Sequence, residues 1–85
     1  MSKREKLLKR LLSKPKDFSF DEAATLLQSL GYEIDNKGKT SGSRVLFENK
    51  TTAHKFNIHK PHPKKILKPY QVAYIIDELK TTGLI

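Results

Sequence analysis

SFDEAATLLQSLGYEID, running from Ser19 to Asp35, changes its period in the middle, and that change decides the fold. Ser19 is a strong N-cap residue, and Glu22 stands three positions on, where its carboxylate can reach back to complete a capping box. Ala23, Leu26, Leu27 and Leu30 recur at helical spacing and make one apolar face. Gly31 then supplies the residue type that tolerates the left-handed conformation at a helix end. From Tyr32 to Asp35 the pattern alternates with a period of two, which is that of a strand. A helix therefore hands over to a sheet at Gly31.

Working outward, the loop Asn36–Gly42 holds two glycines and little apolar content. Arg44–Glu48 reads as a second strand, Asn49-Lys50-Thr51 as a turn, and Thr52–His59 as a third strand. The two prolines between Lys60 and Lys68 keep that stretch extended, because residues before proline avoid the helical region. Pro69 suits the first position of a last helix, with Val72, Ile75, Ile76 and Leu79 as its buried stripe and Gly83 just past its end. Upstream, Leu7, Leu8, Leu11 and Leu12 form a narrow stripe on a helix over Ser2–Ser13, which Lys14-Pro15-Lys16-Asp17 ends. The order is helix, helix, three-stranded antiparallel meander, helix. One sheet face must be covered, so the expected class is α+β, a two-layer sandwich with helices on one face and an extra N-terminal helix. The expected division is a basic helical extension over 1–16 and one domain over 17–85. Its core is expected to contain Leu26, Leu27, Leu30, Phe47, Phe56, Ile58, Ile75 and Leu79.

A chain of 85 residues makes one modest core, hiding roughly 60–65% of the unfolded surface. Chemistry belongs on an open face of such a domain. The net charge is +8 and it is segregated. Residues 1–16 carry seven basic side chains against one acid, and residues 37–68 carry nine against one, whereas residues 17–36 carry five acids and no base. That distribution favours a polyanion over a neutral metabolite. Without cysteine, disulfides and thiolate metal sites are excluded, and a reducing compartment fits. No apolar run approaches the ~20 residues of a membrane span and no signal core opens the chain, so a cytoplasmic location is expected. The leucine stripe of the first helix can be read as a membrane-surface helix. It is short and has no aromatic residue, which favours docking on this domain or on a partner.

Strand parity points the side chains. Val45 and Phe47 share a face, as do Phe56 and Ile58, and these four line the core. Arg44, Leu46, Lys55, Asn57 and His59 then face the other way. A two-residue turn at Asn49-Lys50 sets Arg44 against Lys55, and longer turns set it against Asn57 or His59. Every register that keeps the aromatics inside leaves Arg44 and His59 on one face. His54 has core parity, which suits a partly buried, hydrogen-bonded ring. Cleaving RNA without a metal needs a base for the 2′-hydroxyl, an acid for the leaving 5′-oxygen, and fixed cations for the charge that builds on phosphorus. His59 and His62 can supply the proton transfers. Arg44, Lys55, Lys60 and Lys68 can supply the cations, with Lys39, Ser43 and Lys64 as further RNA contacts. The bland alternative is a solvated, proline-rich connector. No acid lies between Glu48 and Asp77, so no metal site is expected, and neither a phosphate-binding loop nor a dinucleotide fingerprint is present. No cofactor is expected.

Leu30-Gly31-Tyr32, Gly42-Ser43-Arg44-Val45-Leu46-Phe47, His59-Lys60-Pro61-His62-Pro63, Leu67-Lys68-Pro69-Tyr70 and the closing Gly83-Leu84-Ile85 resemble, in order and spacing, the HicA family. These are small toxins of bacterial toxin–antitoxin pairs that act as mRNA interferases. The resemblance covers about Asp17 to Ile85. It implies a double-stranded-RNA-binding-domain-like fold, RNA as substrate, mRNA in particular, and a HicB-like antitoxin as partner. Many members read Gly-Ser-His where this chain reads Gly-Ser-Arg. A guanidinium stays protonated and cannot act as a base, though it can hold a phosphate with two prongs. Either proton transfer has passed to His59 or His62, or the protein binds RNA without cutting it. The candidate functions are thus an endoribonuclease toxin, a non-catalytic RNA-binding module, and a protein-interaction domain.

Overall fold

The computed structural model describes residues 2–35, 44–61 and 64–85. Its elements are α1 (Lys3–Leu12), α2 (Phe20–Ser29), β1 (Tyr32–Asp35), β2 (Arg44–Asn49), β3 (His54–His59) and α3 (Pro69–Thr81). The strands form an antiparallel sheet in the order β1-β2-β3, an α+β fold with an additional N-terminal helix. The expected loop Asn36–Gly42 lies outside the described residues.

α2 starts as its sequence requires. The Ser19 hydroxyl accepts from the Glu22 N–H at 3.0 Å, and the Glu22 carboxylate accepts from the Ser19 N–H at 3.0 Å. Gly31 ends it with φ +101°, in the left-handed region where a side chain is costly. A Cβ there would also stand 3.3 Å from the Asn49 amide, so the position is closed twice over.

The core forms between the inner sheet face and the helices. Phe47 and Phe56 stack with ring centres 5.9 Å apart, and Tyr32 meets Phe56 edge-on at 5.4 Å. From α2 comes Phe20, 6.1 Å from Phe47, while at the margin the exposed Tyr74 of α3 meets Phe56 at 6.0 Å. Leu26, Leu27, Phe47, Phe56, Ile58, Ile75 and Leu79 are buried, as the parities require. Leu30 and Val45 are only partly buried and pack on the rim of this cluster. Leu30 is the C-cap of α2, one residue past the end of the helix at Ser29.

Differences from the expected elements have local causes. β2 runs on to Asn49 and β3 begins at His54 rather than Thr52, because residues 50–53 form the connecting turn. The segment before α3 is not a free connector: the Phe20 N–H donates to the Lys65 carbonyl (2.7 Å), and the Leu67 N–H to that of Phe18 (2.8 Å). These two bonds bury Leu67 and fasten the segment beside the start of α2. α1 docks on its own chain. Leu11 is fully buried, Leu7 and Leu8 are partly so, and Leu12, counted in the expected stripe, is 44% exposed. The Arg10 guanidinium secures the helix by donating to Glu22 and to Asp17, both at 2.9 Å. No helix among the described residues is long and apolar enough to cross a membrane.

Candidate nucleic-acid interface

The site is set by a register, and the register is set by Asn49. Its side chain is buried at the end of β2 and bonded through both amide atoms: Nδ2 donates to the Leu30 carbonyl at 3.2 Å, and Oδ1 accepts from the N–H groups of Thr51 (3.0 Å) and Thr52 (3.3 Å). These bonds wind residues 50–53 into a four-residue turn that brings Ala53 to φ +61°. Asn49 therefore pairs with His54, and the ladder runs down to Arg44 opposite His59. Of the registers open to the sequence, the one adopted joins these two residues. Directly opposed side chains have Cβ atoms about 4.5–5.5 Å apart, close enough to share one phosphate. Both are exposed.

The outer face is electrostatically divided. At one end Glu33 lies across from Glu48, and Glu48 across from Lys55. Two lysines relieve that pair of acids: Lys50 reaches Glu33 at 3.3 Å and Lys55 reaches Glu48 at 3.6 Å. Leu46 and Asn57 stand in the middle, and Arg44 and His59 hold the far end. Lys55 is four residues from His59, about 13 Å along the strand. It belongs to the acidic end.

His59 is fixed to α3 by a residue that sequence reading passed over. Gln71, 6% exposed, donates from Nε2 to the His59 carbonyl at 2.7 Å and accepts from the Lys68 N–H through Oε1 at 2.9 Å. One amide thus caps α3 and clamps the end of β3 to it. A glutamine three residues after the N-cap was the available signal. Around this clamp lie two shallow hollows. One, of about 240 Å³, is lined by His59, Pro61, Lys68, Tyr70 and Gln71. The other, of about 300 Å³, lies between β3 and α3 and is lined by Asn57, Ile58, His59, Tyr70, Gln71 and Tyr74.

The other expected contacts are dispersed. Lys68 borders the first hollow, Lys64 is exposed on the following segment, and the Lys60 ammonium sits 5.4 Å above the Phe20 ring. Lys39, Ser43 and His62 lie outside the described residues. His54 is on the inner side. The carboxylate of Glu78 accepts from its Nε2–H (3.1 Å), and Nδ1 shares a hydrogen bond with the Tyr32 hydroxyl at 2.7 Å. Burial, reinforced by the Glu78 charge and opposed by a hydrogen bond with Thr82, raises the Tyr32 phenol above its ordinary pKa. That cluster ties β1, β3 and α3 together. Among the described residues, no group of three or more His, Cys, Asp or Glu side chains is placed to hold a metal.

Residues 20–84 match the family model described as HicA toxin of bacterial toxin-antitoxin. No match was found among curated proteins or among solved structures. The matched span begins with α2, and α1 precedes it.

Proposed function

The chain belongs to the HicA family, the toxins of bacterial toxin–antitoxin pairs, and from that premise we propose that it binds mRNA and cleaves it by metal-independent acid–base chemistry, until a HicB-like antitoxin neutralises it. The observation that carries this reading is the pairing of Arg44 with His59 on the exposed sheet face. A neutral imidazole at His59 takes the proton of a ribose 2′-hydroxyl. The freed oxygen attacks the adjacent phosphorus, and Arg44 holds the non-bridging oxygens as negative charge builds there. The 5′-oxygen leaves with a proton from an acid, the role for which His62 is the candidate. The products are a 2′,3′-cyclic phosphate and a 5′-hydroxyl. Lys68 and Lys64 lie on the segment that follows, where lysines position a phosphate backbone without reading its sequence.

One observation favours a second reading. With Arg44 standing where many relatives have histidine, His59 is the only imidazole on the outer face among the described residues. A protein of this fold that binds RNA and regulates without cutting would need nothing more. Induced expression, with growth and RNA integrity followed together and cleaved ends mapped, separates the two. Growth arrest with fragments ending in 2′,3′-cyclic phosphate is the expected result. Intact RNA in arrested cells would favour the binding module.

A further inference from the structure

The hollow between β3 and α3 has features that the cleavage chemistry leaves unused. Its lining is largely apolar, and two of its walls are tyrosines that the fold leaves in the open, Tyr70 at 67% and Tyr74 at 42% exposure. They stand four residues apart on α3, one turn, so their rings project from the same side of the helix. Neither belongs to the buried stripe of Val72, Ile75, Ile76 and Leu79. Exposing two large aromatic rings over one groove forgoes the burial they would gain elsewhere, and such patches mark binding sites. At about 300 Å³ the hollow is at the small end of ligand pockets.

The floor of the hollow can discriminate between ligands. β3 is an edge strand, and its His59 carbonyl faces α3, where Gln71 binds it. Backbone groups on an antiparallel strand alternate sides, so the N–H and C=O of Asn57 point to the same outer edge. A donor and an acceptor there sit beside apolar walls. Cations lie next to it through His59, which lines both hollows: Lys68 lines the adjoining one, and Arg44 is paired with His59 across the β2–β3 ladder. A flat aromatic group attached to a negatively charged backbone meets all three demands: a π-face for the tyrosines, edge atoms for the strand, and phosphates for the cations.

We propose that this groove is a stacking subsite for one unpaired nucleobase, adjoining the phosphate held by Arg44 and His59. The subsite rests on the proposed action on RNA and adds that the substrate is single-stranded at this point. A base stacked in a duplex cannot enter, whereas unstacked bases splayed onto aromatic side chains are the usual means of reading single-stranded RNA.

The test uses the whole protein and short RNAs carrying 2′-O-methyl groups, which cannot be cleaved by attack of a 2′-hydroxyl. Three probes are titrated at low salt: a single strand, the same sequence as a duplex, and a strand of equal length with its bases removed. Wild type is expected to prefer the single strand over both others. Tyr70→Leu is expected to lose about 5- to 140-fold in affinity for the single strand, the range corresponding to 1–3 kcal/mol per stacked base at 1.4 kcal/mol per ten-fold. It should bind the baseless strand as wild type does. Tyr70→Phe should restore the affinity, and the melting temperatures of all variants are measured so that unfolding is not mistaken for lost stacking. Unchanged single-strand affinity in Tyr70→Leu, with wild type binding RNA well, would overturn the subsite, leave the RNA reading standing, and assign the tyrosines to a protein partner. Failure of wild type to bind any of the three probes would overturn both.

Discussion

Arg44 is the residue on which the proposed chemistry turns, because the resemblance to the HicA family sets it where a histidine is expected. A histidine there can exchange a proton near neutral pH, whereas a guanidinium contributes charge and a rigid fork of donors. Arg44→Lys is accordingly expected to keep RNA affinity within a few-fold while the cleavage rate falls by ten-fold or more. Single-turnover kinetics read the two effects apart. A rate equal to wild type would mean that the two-pronged geometry is not used. The sequence alone makes Arg44 and His59 share a face, but it leaves three partners open for Arg44. What selects His59 is the buried amide of Asn49, whose bond to the Leu30 carbonyl spans nineteen residues. No local pattern announces such a contact. Gln71 is legible only in part: its capping role follows from its place after Lys68, but its grip on the His59 carbonyl is tertiary.

At the scale of elements, the change from helix to strand at Gly31 is readable because three independent signals agree there: a capping box upstream, an apolar face of helical period, and a glycine at positive φ. The docking of α1 is less readable, since a leucine stripe among lysines suits a membrane, a partner or the parent domain equally. Burial of Leu11 and the Arg10–Glu22 pair identify the parent domain. Leu11→Ala should therefore destabilise the protein by about 2–5 kcal/mol, the usual result of truncating a buried leucine, with a matching fall in melting temperature. No change would mean that α1 frays in solution. The same contact carries a pH dependence. Partial burial works against the Glu22 carboxylate, but bonds from Ser19 and Arg10 outweigh it and hold its pKa below the ordinary value of 4.5. A carboxyl lowered by folding contributes stability above its unfolded pKa and loses it as the pH falls through the folded one. Acid unfolding should begin below about pH 4.5, and Glu22→Gln should flatten that limb.

At the scale of the molecule, the +8 charge gives the class of ligand but not its position. Counting lysines along the chain makes Lys55 and Lys60 equivalent to Lys68. Folding separates them: Lys55 is offset by Glu48, Lys60 lies over Phe20, and Lys68 borders the hollow beside His59. Among the described residues, Arg44 and His59 stand at the end of the outer face away from the Glu33–Glu48 pair, and the exposed tyrosines of α3 flank that end. Tyr74 is visible in the sequence as a tyrosine one turn beyond Tyr70 and off the buried stripe, a pattern that a search for charged and titratable groups passes over.

The most direct measurement is the cleavage rate of a short RNA by purified wild type and by His59→Ala, in the presence of a chelator, with RNA affinity and melting temperature measured alongside. Removal of a positioned acid or base costs about 10²–10⁴-fold. The expected result is a loss of that size in His59→Ala, with affinity and folding retained and with wild-type cleavage indifferent to the chelator. Full activity in His59→Ala would contradict the account, because no arrangement of the outer face would then make His59 the base.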